Sequence, residues 1–79
     1  MNAAQARMAR AALQWKVEDV AEKAGLSRMT IMRLEGEQVR PNRATLAVLR
    51  QTFEAAGVEF IGDTGVHVRP PPPADGPMP

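Results

Sequence analysis

Seventy-nine residues make one small domain at most, and the absence of Cys removes any disulfide framework or thiolate metal site from its support. No apolar run approaches the roughly 18 residues that cross a bilayer, and Met1 to Arg7 lack the apolar core of a signal peptide, so a cytoplasmic location is expected. A net charge of +1 neither demands nor excludes a nucleic-acid partner.

Ala3 to Leu13 is built from good helix formers, with Ala6, Ala9 and Leu13 at helical spacing, and predicts a first helix. Trp15, the only Trp, is expected to anchor the junction with the next helix, because so large a ring has much area to bury. Val17 to Ala24 predicts a second helix, with Val17, Val20, Ala21 and Ala24 on one face and Glu18 and Asp19 in the first turn, where the helix dipole favours acids. Gly25 stops it by accepting the left-handed conformation of a helix C-terminus. Ser27 is then a good N-cap for a third helix, Arg28 to Glu35, which Gly36 is expected to end.

Glu37 to Pro41 reads as a loop. Asn42 caps a fourth helix from Arg43 to Ala56, with Leu46, Leu49, Phe53 and Ala56 as its apolar stripe and Gly57 closing it. The period then changes. Val58 to Ile61 and Val66 to Arg69 are short strand-like runs around the turn signal Gly62-Asp-Thr-Gly65, which predicts a β-hairpin. A lone hairpin is marginal in water, so it must pack on the helices or on a second subunit. Residues 70–79, with six of the seven prolines, predict a disordered Pro-rich tail.

Two helices broken only by Gly25-Leu26-Ser27 match the helix-turn-helix, which lays its second helix in the major groove of DNA. On a helical wheel of the third helix, Ile31 and Leu34 point inward, while Arg28, Met29, Met32 and Arg33 form one face nearly opposite. An ordinary solvated face would account for the arginines and not for the methionines. Base-edge contact accounts for both: Arg donates two bonds to guanine O6 and N7, and an apolar side chain packs on the thymine methyl. Arg40, Asn42 and Arg43 follow in the loop and at the start of the fourth helix, where a phosphate clamp is expected, with Ser27 at the start of the third helix as a further phosphate contact. Charge is distributed to suit: Arg28 to Arg50 holds five Arg and two Glu, a balance of +3, and the remainder of the chain beyond Arg50 carries −3.

Together, Glu18-Asp-Val-Ala-Glu-Lys-Ala-Gly-Leu-Ser27, Thr30-Ile-Met-Arg-Leu-Glu-Gly36, Arg40-Pro41 and Thr45-Leu46 resemble the phage repressor/Cro-like family of DNA-binding regulators, the XRE family. The likeness covers about residues 3 to 57. It implies a mainly α fold, a compact bundle of four or five helices around a helix-turn-helix, bound as a homodimer to a palindromic operator. It also implies a structural ion pair between Arg10 and Glu35, and places base contact on Arg28, Met29 and Arg33. The chain departs from the pattern at Lys16 and Val17, where many members have a Ser/Thr cap followed by a Gln that reaches DNA; Lys16 is left as a phosphate contact. The hairpin and tail lie outside the basic family fold. The expected division is therefore 1–57 as the DNA-binding domain, 58–69 as a dimerisation hairpin with Val58, Phe60, Val66 and Val68 as its apolar face, and 70–79 as the tail.

The leading expectation is a sequence-specific transcriptional regulator, a repressor that controls its own gene, with no cofactor and no room for a small-molecule sensor. The competing expectation is an antitoxin or anti-activator that grips a protein with the hairpin and tail. An enzyme is not expected. His67, the only His, lies in a predicted strand, no catalytic or metal-binding constellation surrounds it, and no Gly-rich phosphate loop is present.

Overall fold

In the computed structural model, residues 1–38, 40 and 42–69 are described; Val39, Pro41 and the expected tail, 70–79, lie outside the described residues. The elements are α1 (Ala3–Leu13), α2 (Val17–Ala24), α3 (Arg28–Glu35), α4 (Arg43–Ala55), β1 (Val58–Ile61) and β2 (Gly65–Val68). The fold is thus mostly helical with a short antiparallel hairpin at its C-terminal end, and there are four helices among the described residues.

Local chemistry explains each boundary. Asn2 and Gln5 form a reciprocal capping box on α1: the Asn2 side chain accepts from the Gln5 N–H at 2.9 Å, and the Gln5 side chain accepts from the Asn2 N–H at 3.1 Å. Asp19, three residues into α2, accepts from the Lys16 N–H at 2.8 Å. The Ser27 hydroxyl caps α3 through the Thr30 N–H at 3.0 Å, and the Asn42 side-chain Oδ1 caps α4 through the Thr45 N–H at 2.7 Å.

At the C-terminal ends, α1 and α2 close with paired backbone bonds around a left-handed residue. Gly25 (φ 71°) does this for α2, with Leu26 N–H donating to the Ala21 carbonyl at 3.0 Å. No atom lies within 4 Å of a Cβ built at Gly25, so the requirement for glycine is conformational and not steric. Gln14 takes the same conformation for α1 (φ 59°), with Trp15 N–H on the Arg10 carbonyl at 3.0 Å. Helix α3 ends where expected but not by the expected residue. Gly36 is right-handed (φ −84°), and Glu37 adopts the left-handed turn at φ 56°, with Gln38 N–H reaching the Arg33 carbonyl at 3.0 Å. Helix α4 stops one residue earlier than its pattern suggests, at Ala55.

The core gathers one or two side chains from every helix and from β1: Ala6 and Ala9, Val20 and Ala21, Ile31 and Leu34, Leu49 and Phe53, and Val58. Small residues on α1 and α2 let α3 lie close to both. Phe53 sits at the centre of the aromatic residues, stacked on Trp15 at 6.1 Å between centroids and edge-on to Phe60 at 6.3 Å. Such pairs add about 0.5–1.5 kcal/mol each beyond area burial. Trp15 is half-buried against this core, as an anchor at the helix junction should be.

Of the two packing possibilities for the hairpin, the structure shows it on the helices. Its strands pair Val58 with Val68 and Phe60 with Val66 on one face, and that face turns inward onto α1 and α4. Val58 is 1% exposed, and Phe60, Val66 and Val68 are half-buried against the same core. The four side chains expected to form a dimerisation face are therefore used within the protomer. A division at residue 57 does not separate two packing units. Side chains also fasten the turn: Gln5 Nε2 donates to the Gly62 and Gly65 carbonyls at 2.9 and 3.0 Å, and Asn2 Nδ2 donates to the Asp63 carbonyl at 2.8 Å. The cap of the first helix is thus also the clamp of the last turn. Strand β2 begins one residue before the expected run, at Gly65.

Candidate nucleic-acid interface

Helix α3 is held by its inner side and its two ends. Ile31 and Leu34 are 1% and 2% exposed, packed between α1 and α2. At its C-terminus, Glu35 is nearly buried and both carboxylate oxygens are occupied by Arg10: Nε to Oε2 at 2.8 Å and Nη2 to Oε1 at 2.8 Å. This two-pronged bond is the geometry in which Arg binds carboxylate best. The bond to Glu35 raises the Arg10 pKa above its ordinary value, with the Glu35 charge adding to it and burial opposing it. Arg10 Nη1 also reaches the Trp15 carbonyl at 3.3 Å, and Arg7 donates to the Glu35 main-chain carbonyl. The end of α3 is thereby bolted to α1, with the Glu35 carboxylate nearly buried against Arg10.

The outer side of α3 is open. Arg28 and Arg33 are exposed, and Met29 and Met32 are 53% and 51% exposed. These four occupy half of an eight-residue helix. Met29 and Met32 are two of the four large apolar side chains exposed among the described residues; the others are Val48 on α4 and Ile61 on β1. Arg28 Nη1 lies 3.5 Å from Glu18 Oε2, at the start of α2. The Arg33 side chain makes no ion pair or hydrogen bond among the described residues.

The residues expected to meet phosphate cluster at helix starts. Lys16 precedes α2, Ser27 precedes α3, and Asn42 and Arg43 stand at the start of α4. All are exposed, as is Arg40. Ser27 and Asn42 already serve as caps, so each has its cap-accepting oxygen committed within the protein. The Ser27 hydroxyl also lies 2.7 Å from the Thr30 hydroxyl. Pro41, which belongs to the Arg40-Pro41 motif, lies outside the described residues.

Several polar contacts are absent from the sequence reading. The Gln5 and Asn2 clamps join residues about sixty positions apart, and only the Asn-x-x-Gln spacing of the capping box was available to flag them. Arg7 and the Glu18–Arg28 pair had no local signal. Lys23 Nζ stands 5.1 Å above the Trp15 ring, a cation–π contact on the far side of the helix junction. His67 is exposed on the outer face of the hairpin, opposite Glu59, and no group of three metal-ligating side chains occurs among the described residues. No helix among the described residues is long and apolar enough to cross a membrane.

No family model matches the chain, and no curated protein matches it either.

Proposed function

We propose that the chain is a sequence-specific DNA-binding transcriptional regulator of the phage repressor/Cro-like kind, an autorepressor that binds a palindromic operator as a homodimer. The observation that carries this reading is the outer face of α3. Two arginines and two half-exposed methionines project together from a helix whose inner side and C-terminus are fixed to the rest of the domain. Leaving two Met side chains in water forgoes burial, about 25 cal/mol for each Å² left exposed. A groove wall of guanine acceptors and thymine methyls repays it, and Arg supplies the matching donors.

Helix α3 enters the major groove in this account. Arg28 and Arg33 donate to base edges, and Met29 and Met32 pack on thymine methyls. Lys16, Arg40 and Arg43 contact phosphates, together with the N–H groups at the start of α4. Arg10 and Glu35 touch no DNA; they set the pitch of α3. The two-fold symmetry of an operator calls for two copies of α3 one helical turn apart or a multiple of it.

The test is a footprint over the DNA upstream of the chain's own gene. Protection of two symmetric half-sites with centres about 10–10.5 base pairs apart, or a multiple of that, supports the proposal. Retention of one protein partner, with no protection of DNA at any concentration short of non-specific coating, would favour the alternative.

A further inference from the structure

We propose that Glu18 is a positioning residue for Arg28: it orients the Arg28 guanidinium on the reading face and so sets the preference for guanine at the base pair that Arg28 reads. The inference rests on the DNA-binding reading above and names the residue that tunes its specificity. The two residues are the second of α2 and the first of α3, brought side by side by the intervening turn, with Glu18 Oε2 at 3.5 Å from Arg28 Nη1. Both side chains are 62% exposed.

The ordinary account of an acid in the first turn of a helix is the dipole and the cap. In α2 that task falls to Asp19, whose carboxylate accepts from the Lys16 N–H. Glu18 instead directs its carboxylate at the first residue of the reading helix. A negative charge on a surface that must approach phosphates lowers affinity for every sequence alike. Its compensation is local. With Nη1 turned toward Glu18, the guanidinium still has N–H donors to span guanine O6 and N7, and its plane is restrained. Without Glu18, the same side chain is free to swing to the nearest phosphate, which carries no sequence information. In the free protein so exposed a pair is weak; between protein and groove, with water displaced, the attraction strengthens.

The experiment compares wild type, Glu18→Gln, Arg28→Ala and the double variant by equilibrium binding. The probes are the best-bound duplex, an unrelated duplex, and variants of the best duplex at the one base pair whose discrimination Arg28→Ala loses. Glu18→Gln is expected to bind the unrelated duplex more tightly and to lower the guanine preference at that one pair about two- to fivefold, the range an exposed ion pair supports. Preferences at other base pairs should not move, and in the Arg28→Ala background the substitution should leave discrimination unchanged. The inference is overturned if wild type is sequence-specific and Glu18→Gln keeps the full guanine preference. It is equally overturned if the substitution lowers discrimination uniformly at all positions, or does so without Arg28. Wild type that shows no sequence preference overturns the DNA-binding reading itself.

Discussion

Replacing Gln5 by Leu tests whether the hairpin is part of the domain or an appendage to it. Gln5 is 1% exposed, and its amide makes three bonds: two donated to the Gly62 and Gly65 carbonyls and one accepted from the Asn2 N–H. Leucine keeps most of the volume and removes all three. Each bond contributes about 0.5–1.5 kcal/mol net, and because Gly62 is exposed, water can replace part of the loss. The expected cost is about 2–3 kcal/mol. A domain of this size has roughly 4–12 kcal/mol to lose, so the change is large. At about 4–8 °C per kcal/mol, the melting midpoint should fall by about 8–24 °C, read by circular dichroism at fixed pH. Gln5→Ala adds a small cavity and should cost about 1 kcal/mol more. Amide exchange in β1 and β2 should accelerate along with that of the helices, because the hairpin shares their core. A midpoint drop below about 4 °C for Gln5→Leu would refute the clamp, and exchange faster in the hairpin alone would show an appendage.

Arg10→Met should cost about 2–4 kcal/mol in urea unfolding, since it leaves the nearly buried Glu35 carboxylate without its fork; partial exposure of Arg10 keeps this below the fully buried limit. Arg10→Met with Glu35→Leu should recover at least half of that loss, and a double variant no better than the single would count against the pairing. Gln14→Gly should stabilise the domain by about 0.5 kcal/mol, because the left-handed φ of 59° strains any residue with a Cβ; a loss would show that the Gln14 side chain holds something of its own. Arg33→Ala should weaken the specific site by about 1–3 kcal/mol and relax preference at one base pair, with little effect on unrelated DNA. Arg43→Ala should weaken all sequences alike and flatten the salt dependence of binding. Equal losses on both kinds of DNA for both variants would remove the division between reading and phosphate contact.

Much of the fold was legible in the sequence because its boundaries rest on local chemistry. Gly25, Ser27 and Asn42 act within three or four residues of themselves, so α2, α3 and the start of α4 follow from side chains that any reader of the chain can see. The outer face of α3 was legible for the same reason, since helical period alone puts Met29 and Met32 opposite Ile31 and Leu34. The sequence did not show what a strand's apolar face meets. Alternation in Val58 to Ile61 shows that one face is buried and leaves open whether helices or a second subunit bury it. Gln5 and Asn2, far away in the chain, fasten the turn on the helix side and carry no marker beyond a cap. Glu37 in place of Gly36 as the left-handed residue is a smaller case: the backbone chose the position that lets the Gln38 N–H reach the Arg33 carbonyl, and glycine's freedom was not needed there. The Glu18–Arg28 pair depends on how two helices cross, which spacing along one chain does not reveal.

The most direct test of the central claim is repeated selection of bound duplexes from a random pool by the wild-type chain, with a variant in which Arg28, Met29, Met32 and Arg33 are all Ala as its partner. The four side chains are exposed, so the variant should melt within a few degrees of wild type. Wild type is expected to enrich a two-fold-symmetric sequence with half-sites about 10–10.5 base pairs apart, or a multiple, and the variant to enrich none. Enrichment of the same sequence by both, or of no sequence by the wild-type chain, would contradict the account.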